Sequence, residues 1–151
     1  MVSAIDSLSI FLLMLVTGLF WGPWFALTRS LNVFNADEFI KITKTLSANL
    51  GKPMRFMLPS CIIVMTLAVY FYPEKDTPGF YLAIAAVILI LLSLIVTVII
   101  EVPIVKKIEQ WDASTLPANW AAYRERWIKF HILRVISSLA GFACLALAIS
   151  R

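Results

Sequence analysis

The sequence predicts an all-α polytopic membrane protein, a four-transmembrane-helix antiparallel bundle with short amphipathic helices at the membrane interface. Three observations predict it. The 151 residues are 61% hydrophobic and only 15% charged, whereas soluble domains carry roughly 25% charged residues. A soluble chain of this size has too much surface to cover with so few charges. The apolar excess is gathered in four uncharged stretches, residues 7–28, 56–73, 80–100 and 135–150. About 20 helical residues cross a hydrocarbon core of roughly 30 Å. The stretches are continuously apolar, without the period-two alternation of membrane strands, so their backbone groups must be satisfied within helices. The whole chain, 1–151, reads as one membrane domain with spans at about 7–28, 56–73, 80–100 and 130–150.

The first span is "SLSIFLLMLVTGLFWGPWFALT", and the chain up to its first residues reads "MVSAIDSLS". That leader has no basic residue, carries Asp6, and is followed by no small-x-small cleavage site, so the span is expected to be retained. Gly18 and Gly22 form a G-x-x-x-G that would let another helix approach closely. Pro23 frees the carbonyl of Leu19 and favours a bend there. Trp21 and Trp24 read as interfacial anchors or as walls of a flat aromatic pocket.

"NADEFIKITKTLSANLG" (35–51) has helical spacing, with Asn35 or Asp37 as cap and Gly51, Lys52 and Pro53 as its end. It is expected as an amphipathic helix on the membrane surface. The second span, 56–73, can begin with Arg55 snorkelling. The short "YPEKDTPGF" then forces an antiparallel hairpin with the third span. "EVP" at 101–103 closes or kinks that third span, "ASTLP" reads as a turn, and "ANWAAYRERW" starts a helix with Asn119 as its cap. The fourth span reaches full length if it begins near Lys129 or Phe130. Its Ser137, Ser138, Ala140, Gly141 and Ala143 give a close-packing surface. That surface serves contacts within the chain or in a homo-oligomer.

Eleven of the 13 basic residues fall in the first and third connections. The positive-inside rule therefore places both in the cytoplasm and both termini outside, in the periplasm of a bacterial inner membrane. Basic residues beside spans meet lipid headgroups, which makes membrane lipids the expected partners and not nucleic acid. Cys61 and Cys144 sit in apolar surroundings and read as packing residues.

"RERWIKFHILRV" (124–135) brings Arg124, Trp127, His131 and Arg134 to one helix face, three or four residues apart. Tyr123 borders that face, Ser138 continues it, and Glu101 ends the third span at the same membrane side. Arg29 and Asn32 lie near it too. Polar groups that enter hydrocarbon usually face inward, so Glu101, His131 and Arg134 are expected to form a buried network. Arg126 and Lys129 sit off the face. A histidine has the intrinsic pKa of a base near neutrality, but this chain has only one. No zinc, haem, Walker, dinucleotide or G-x-S-x-G pattern occurs.

"EVPIVKKIEQWDASTLPANWAAYRERWIKFHILRV" resembles the anthrone-oxygenase-like family of small four-span membrane proteins, many of them domains of unknown function. The resemblance rests on Val102-Pro103-Ile104, Ile108, Trp111, Pro117, Trp120, Arg124, Arg126, Trp127, His131 and Arg134. Glu101 stands where many relatives have asparagine, and Val105 replaces a second one. The resemblance implies oxidation of an anthrone- or quinol-like aromatic with no cofactor. In that chemistry His131 would act as base and Arg134 with Arg124 would stabilise the anion. Trp127, Trp120, Tyr123, Trp24 and Trp21 would flank the ring. The rival expectation is a non-enzymatic protein that binds a hydrophobic or flat aromatic small molecule, lipid- or quinone-like, near the cytoplasmic interface. In that case Glu101, His131 and Arg134 hold the bundle together.

Overall fold

The computed structural model describes residues 3–112 and 114–150, and among them it contains only helices and connections. Helix α1 runs Ala4–Ala26, a 3₁₀ turn Thr28–Val33 follows, and α2 runs Ala36–Tyr70. Helix α3 is Pro78–Val96, a π-turn covers Thr97–Glu101, α4 is Val102–Glu109, and α5 is Trp120–Ile149. Among the described residues four helices are long and apolar enough to cross a membrane. Their outward faces carry Phe11, Phe56, Ile63, Ile88, Ile136 and Leu147, each about half exposed or more. In water such a surface would drive aggregation; in lipid it is the natural exterior, and the chain is an integral membrane protein.

Local chemistry sets the ends. Ser3 accepts from the Asp6 amide while the Asp6 carboxylate accepts from Ser3, and Asn35 and Glu38 repeat this capping box at α2. Thr77 caps α3 with Pro78 in its first turn. Asn119 precedes α5, but its side chain makes no capping bond.

The largest departure from the sequence reading is α2. The surface helix over 35–51 and the second span are one continuous helix of 35 residues. Gly51 stays helical, without the positive φ that would end the segment. Pro53 and Pro59 lie inside the helix; each lacks an N–H, and neither stops the chain because packing on both sides holds it. At 1.5 Å per residue α2 is about 50 Å long, so its first turns stand beyond the hydrocarbon. Pro23 likewise lies inside α1.

Two cores result. The span core joins Leu13, Val16, Phe20, Leu58, Met65, Ile90, Val135 and Leu145. The second sits at the end of the bundle that bears the two long connections. It joins Leu31, Phe39, Ile40, Ile104, Ile108, Trp111 and Trp127. Lys44 ties this head together by donating to the Trp111 carbonyl at 3.0 Å. Helices α3 and α5 pack closest where a Cβ on Gly141 would stand 3.2 Å from Ile90, as the small-residue face of the fourth span predicts. Gly18 and Gly22 do not serve this purpose within the chain, since nothing lies within 4 Å of a Cβ built at either.

Candidate functional site

Between the two cores lies a cavity of about 590 Å³. Its polar end is formed by Glu101, Trp127, His131, Arg134, Thr97 and Thr43, and Leu46, Leu58 and Leu94 supply apolar wall. Lys52, Arg55, Lys106 and Glu109 line it as well; these four are exposed and mark where it opens.

The π-turn explains how α3 reaches this site. Pro103 cannot donate to the carbonyl four residues back and would clash with it in a regular helix. The chain takes a wider turn instead, with the Val102 amide bonded to the Thr97 carbonyl. The turn sends both Thr97 and Glu101 toward α5. "EVP" therefore neither closes nor sharply ends the span; α3, the π-turn and α4 are continuous.

Arg134 is the hub. One terminal nitrogen, Nη2, pairs with Glu101 Oε2 at 2.5 Å and lies 2.7 Å from His131 Nδ1. Nη1 donates to Thr97 Oγ1 at 3.1 Å, and that hydroxyl in turn donates to the Ser93 carbonyl. The guanidinium also lies 4.7 Å from the centre of the Phe20 ring. Arg134, Glu101 and His131 are only 8%, 3% and 4% exposed. A charged pair this far from solvent needs its remaining hydrogen-bonding groups met as well, a demand the fold leaves partly open.

Geometry assigns the histidine tautomer. An arginine donates only, so Nδ1 is the acceptor and the neutral ring carries its proton on Nε2. That N–H has no well-formed hydrogen bond and makes a looser contact with the Phe20 carbonyl. Glu101 Oε1, Trp127 Nε1, Thr43 Oγ1 and Arg134 Nε are likewise buried without a well-formed bond, though the Trp127 N–H leans toward the Glu101 carboxyl. Trp127 stacks on His131, with ring centres 5.6 Å apart and planes inclined by 25°. The cavity thus offers donors, one anionic acceptor and a flat indole–imidazole wall. Among the described residues no three His, Cys, Asp or Glu side chains gather as a metal site would require.

Glu101, Trp127, His131 and Arg134 come together as their spacing suggests. The other expected site residues do not join them. Arg124 lies over Trp120, 4.9 Å from its ring centre, and reaches the Phe34 carbonyl at 3.4 Å. Trp120 packs on Phe39, and Tyr123 meets Trp111 edge-on. Trp21 and Trp24 lean on each other and on Phe25; Trp21 is 39% exposed. Arg29 lies over Phe25. Sequence reasoning missed Thr97, Phe20 and Thr43. Thr97 stands four residues before Glu101 and was open to a helical-face argument. Phe20 and Thr43 lie on other helices and had no sequence signal.

Fold and site together define an integral membrane bundle of four spanning helices with a buried Glu–Arg–His cluster facing an internal cavity. The chain belongs to the anthrone oxygenase family, whose model matches residues 50–144. That match takes in Glu101, Thr97, Trp127, His131 and Arg134 and omits α1 and the head half of α2. Comparison with curated proteins and with solved structures gives no match.

Proposed function

We propose that the protein binds a flat, largely apolar small molecule, lipid- or quinone-like, in the cavity between its two cores, at the cytoplasmic interface. The observation that carries this reading is the set of buried polar atoms without well-formed partners, facing one cavity beside a planar wall. Unmet buried donors and acceptors are costly. A ring carrying carbonyl or hydroxyl oxygens would meet them, with one oxygen taking the His131 and Trp127 N–H groups and one hydroxyl donating to Glu101. Mass spectrometry of an organic extract of the purified protein tests this. A planar molecule should accompany the wild type and be missing from Leu94→Trp, in which an indole fills the apolar wall. Equal recovery from both would refute the reading.

Family membership favours a second reading, a cofactor-independent oxygenase acting on an anthrone- or quinol-like ring. The ring CH₂ would lose a proton to a base, and the resulting anion would reduce O₂. A hydroperoxide at that carbon would then lose water to leave the ketone. Arg134 would stabilise the anion. His131 becomes a base in this reading when Arg134 turns from Nδ1 to the substrate oxygen, which releases the lone pair. Oxygen uptake with an anthrone, above its spontaneous oxidation, should occur with wild type and vanish with His131→Ala of normal melting temperature. Uptake unchanged by that variant removes His131 from the role.

A further inference from the structure

A second depression of about 420 Å³ lies on the outer side of the π-turn, between α4 and α5. It shares no lining residue with the cavity. Its base is apolar, from Ile99, Pro103 and Ile104, and Lys107, Asn119 and Arg126 stand around it.

The two cations are held without being neutralised. Lys107 Nζ lies 5.7 Å from the Tyr123 ring centre, and the Arg126 guanidinium lies 5.9 Å from that of Phe130. Among the described residues Arg134–Glu101 is the ion pair the structure forms, so neither Lys107 nor Arg126 has a carboxylate on it. Asn119 has no capping bond to make. Lys107 is near the end of one spanning helix and Arg126 near the start of the next, a placement that would bring both to the depth of lipid phosphates. Below them Ile99 and Ile95 are 66% and 52% exposed on one helix face and continue the apolar base toward the hydrocarbon.

We infer that this groove is a binding site for an anionic phospholipid, its phosphate between Lys107 and Arg126 and an acyl chain along Ile99 and Ile95. Charge complementarity at headgroup depth over an apolar track selects that occupant. A neutral lipid would leave both cations unmet.

Native mass spectrometry in a neutral detergent, with dioleoylphosphatidylglycerol or dioleoylphosphatidylcholine added in equal amounts, tests the site. The wild type should retain phosphatidylglycerol about thirtyfold more than phosphatidylcholine, the order expected of two cations near a membrane surface. The Lys107→Gln/Arg126→Gln variant should lose that preference. Lys107→Arg/Arg126→Lys, which keeps both charges, should retain it. Lys41→Gln/Lys75→Gln removes equal charge elsewhere and should change the preference by no more than about twofold, because separated exposed charges are screened. Millimolar inorganic phosphate should leave the lipid in place. No preference in the wild type, equal loss in both glutamine variants, or displacement by phosphate alone would overturn the inference.

Discussion

The span core and the head core solve the same burial problem with different materials. In the spans, helices approach through small residues, Gly141 against Ile90 and Ala86, and hydroxyls return to their own helix, to each other, or to a carbonyl of a neighbouring helix, as Thr17 does to Ser138. Ser93 and Ser137 lie 2.7 Å apart, oxygen to oxygen. In the head, Trp111, Trp120, Trp127, Phe39 and Tyr123 fill the space with rings. Lipid tails are as apolar as leucine, so close packing must hold spanning helices together. The head adjoins water, where large rings gain more from burial. The buried charges stand at the seam, where neither kind of packing closes the space, and the cavity is what remains.

The largest expected effect breaks the seam. Arg134→Gln should destabilise the protein by about 3–5 kcal/mol in detergent unfolding, because it strands a buried Glu101. Glu101→Gln/Arg134→Gln should recover a good part of that loss. If the double variant is as unstable as the sum of the singles, the two side chains are not coupled.

A smaller effect separates two glycines. Gly141→Ala should cost about 1 kcal/mol through crowding of Ile90. Gly18→Ala, which meets open space, should be neutral or gain up to about 1 kcal/mol from helix propensity. Equal melting temperatures for the two would contradict the packing described for α3 and α5. Ser137→Ala should cost about 0.6 kcal/mol, the usual worth of an interhelical hydrogen bond in a membrane.

The smallest effect lies outside the membrane. Hydrogen bonds from Ser114 and Thr115 hold the Asp112 carboxyl down, from 3.8 to about 2. A depressed carboxyl contributes order above its unfolded pKa and loses it as pH falls through the folded one. Pepsin cleavage of the 110–119 connection should therefore rise as pH drops from about 4 toward 2, where protonation removes the acceptor. Asp112→Ala should be cut readily across that range. A flat profile in the wild type would show that the turn does not depend on the carboxylate.

The four spans were legible because each needs only length and an absence of charge. The cluster was legible in part because Arg134, His131 and Trp127 share a helix face and Glu101 ends a span on the same side. What sequence could not supply was contact between helices. Arg124 shares that face, yet it is drawn off by Trp120 and the Phe34 carbonyl. Phe20 and Thr43 reach the seam only through packing. Gly51 and Pro53 looked like a helix end because local propensity ignores the two cores that hold α2 straight through them.

Binding of a soluble hydroxyanthraquinone, followed by equilibrium dialysis in detergent, tests the central claim that the seam cavity is the ligand site. The account predicts saturable binding to the wild type. Leu46→Trp, which fills the cavity, and Arg134→Gln should each weaken it by about tenfold or more, corresponding to roughly 1.4 kcal/mol. Lys129→Gln, outside the cavity, should bind as the wild type does. Binding by Leu46→Trp equal to that of the wild type would contradict the account.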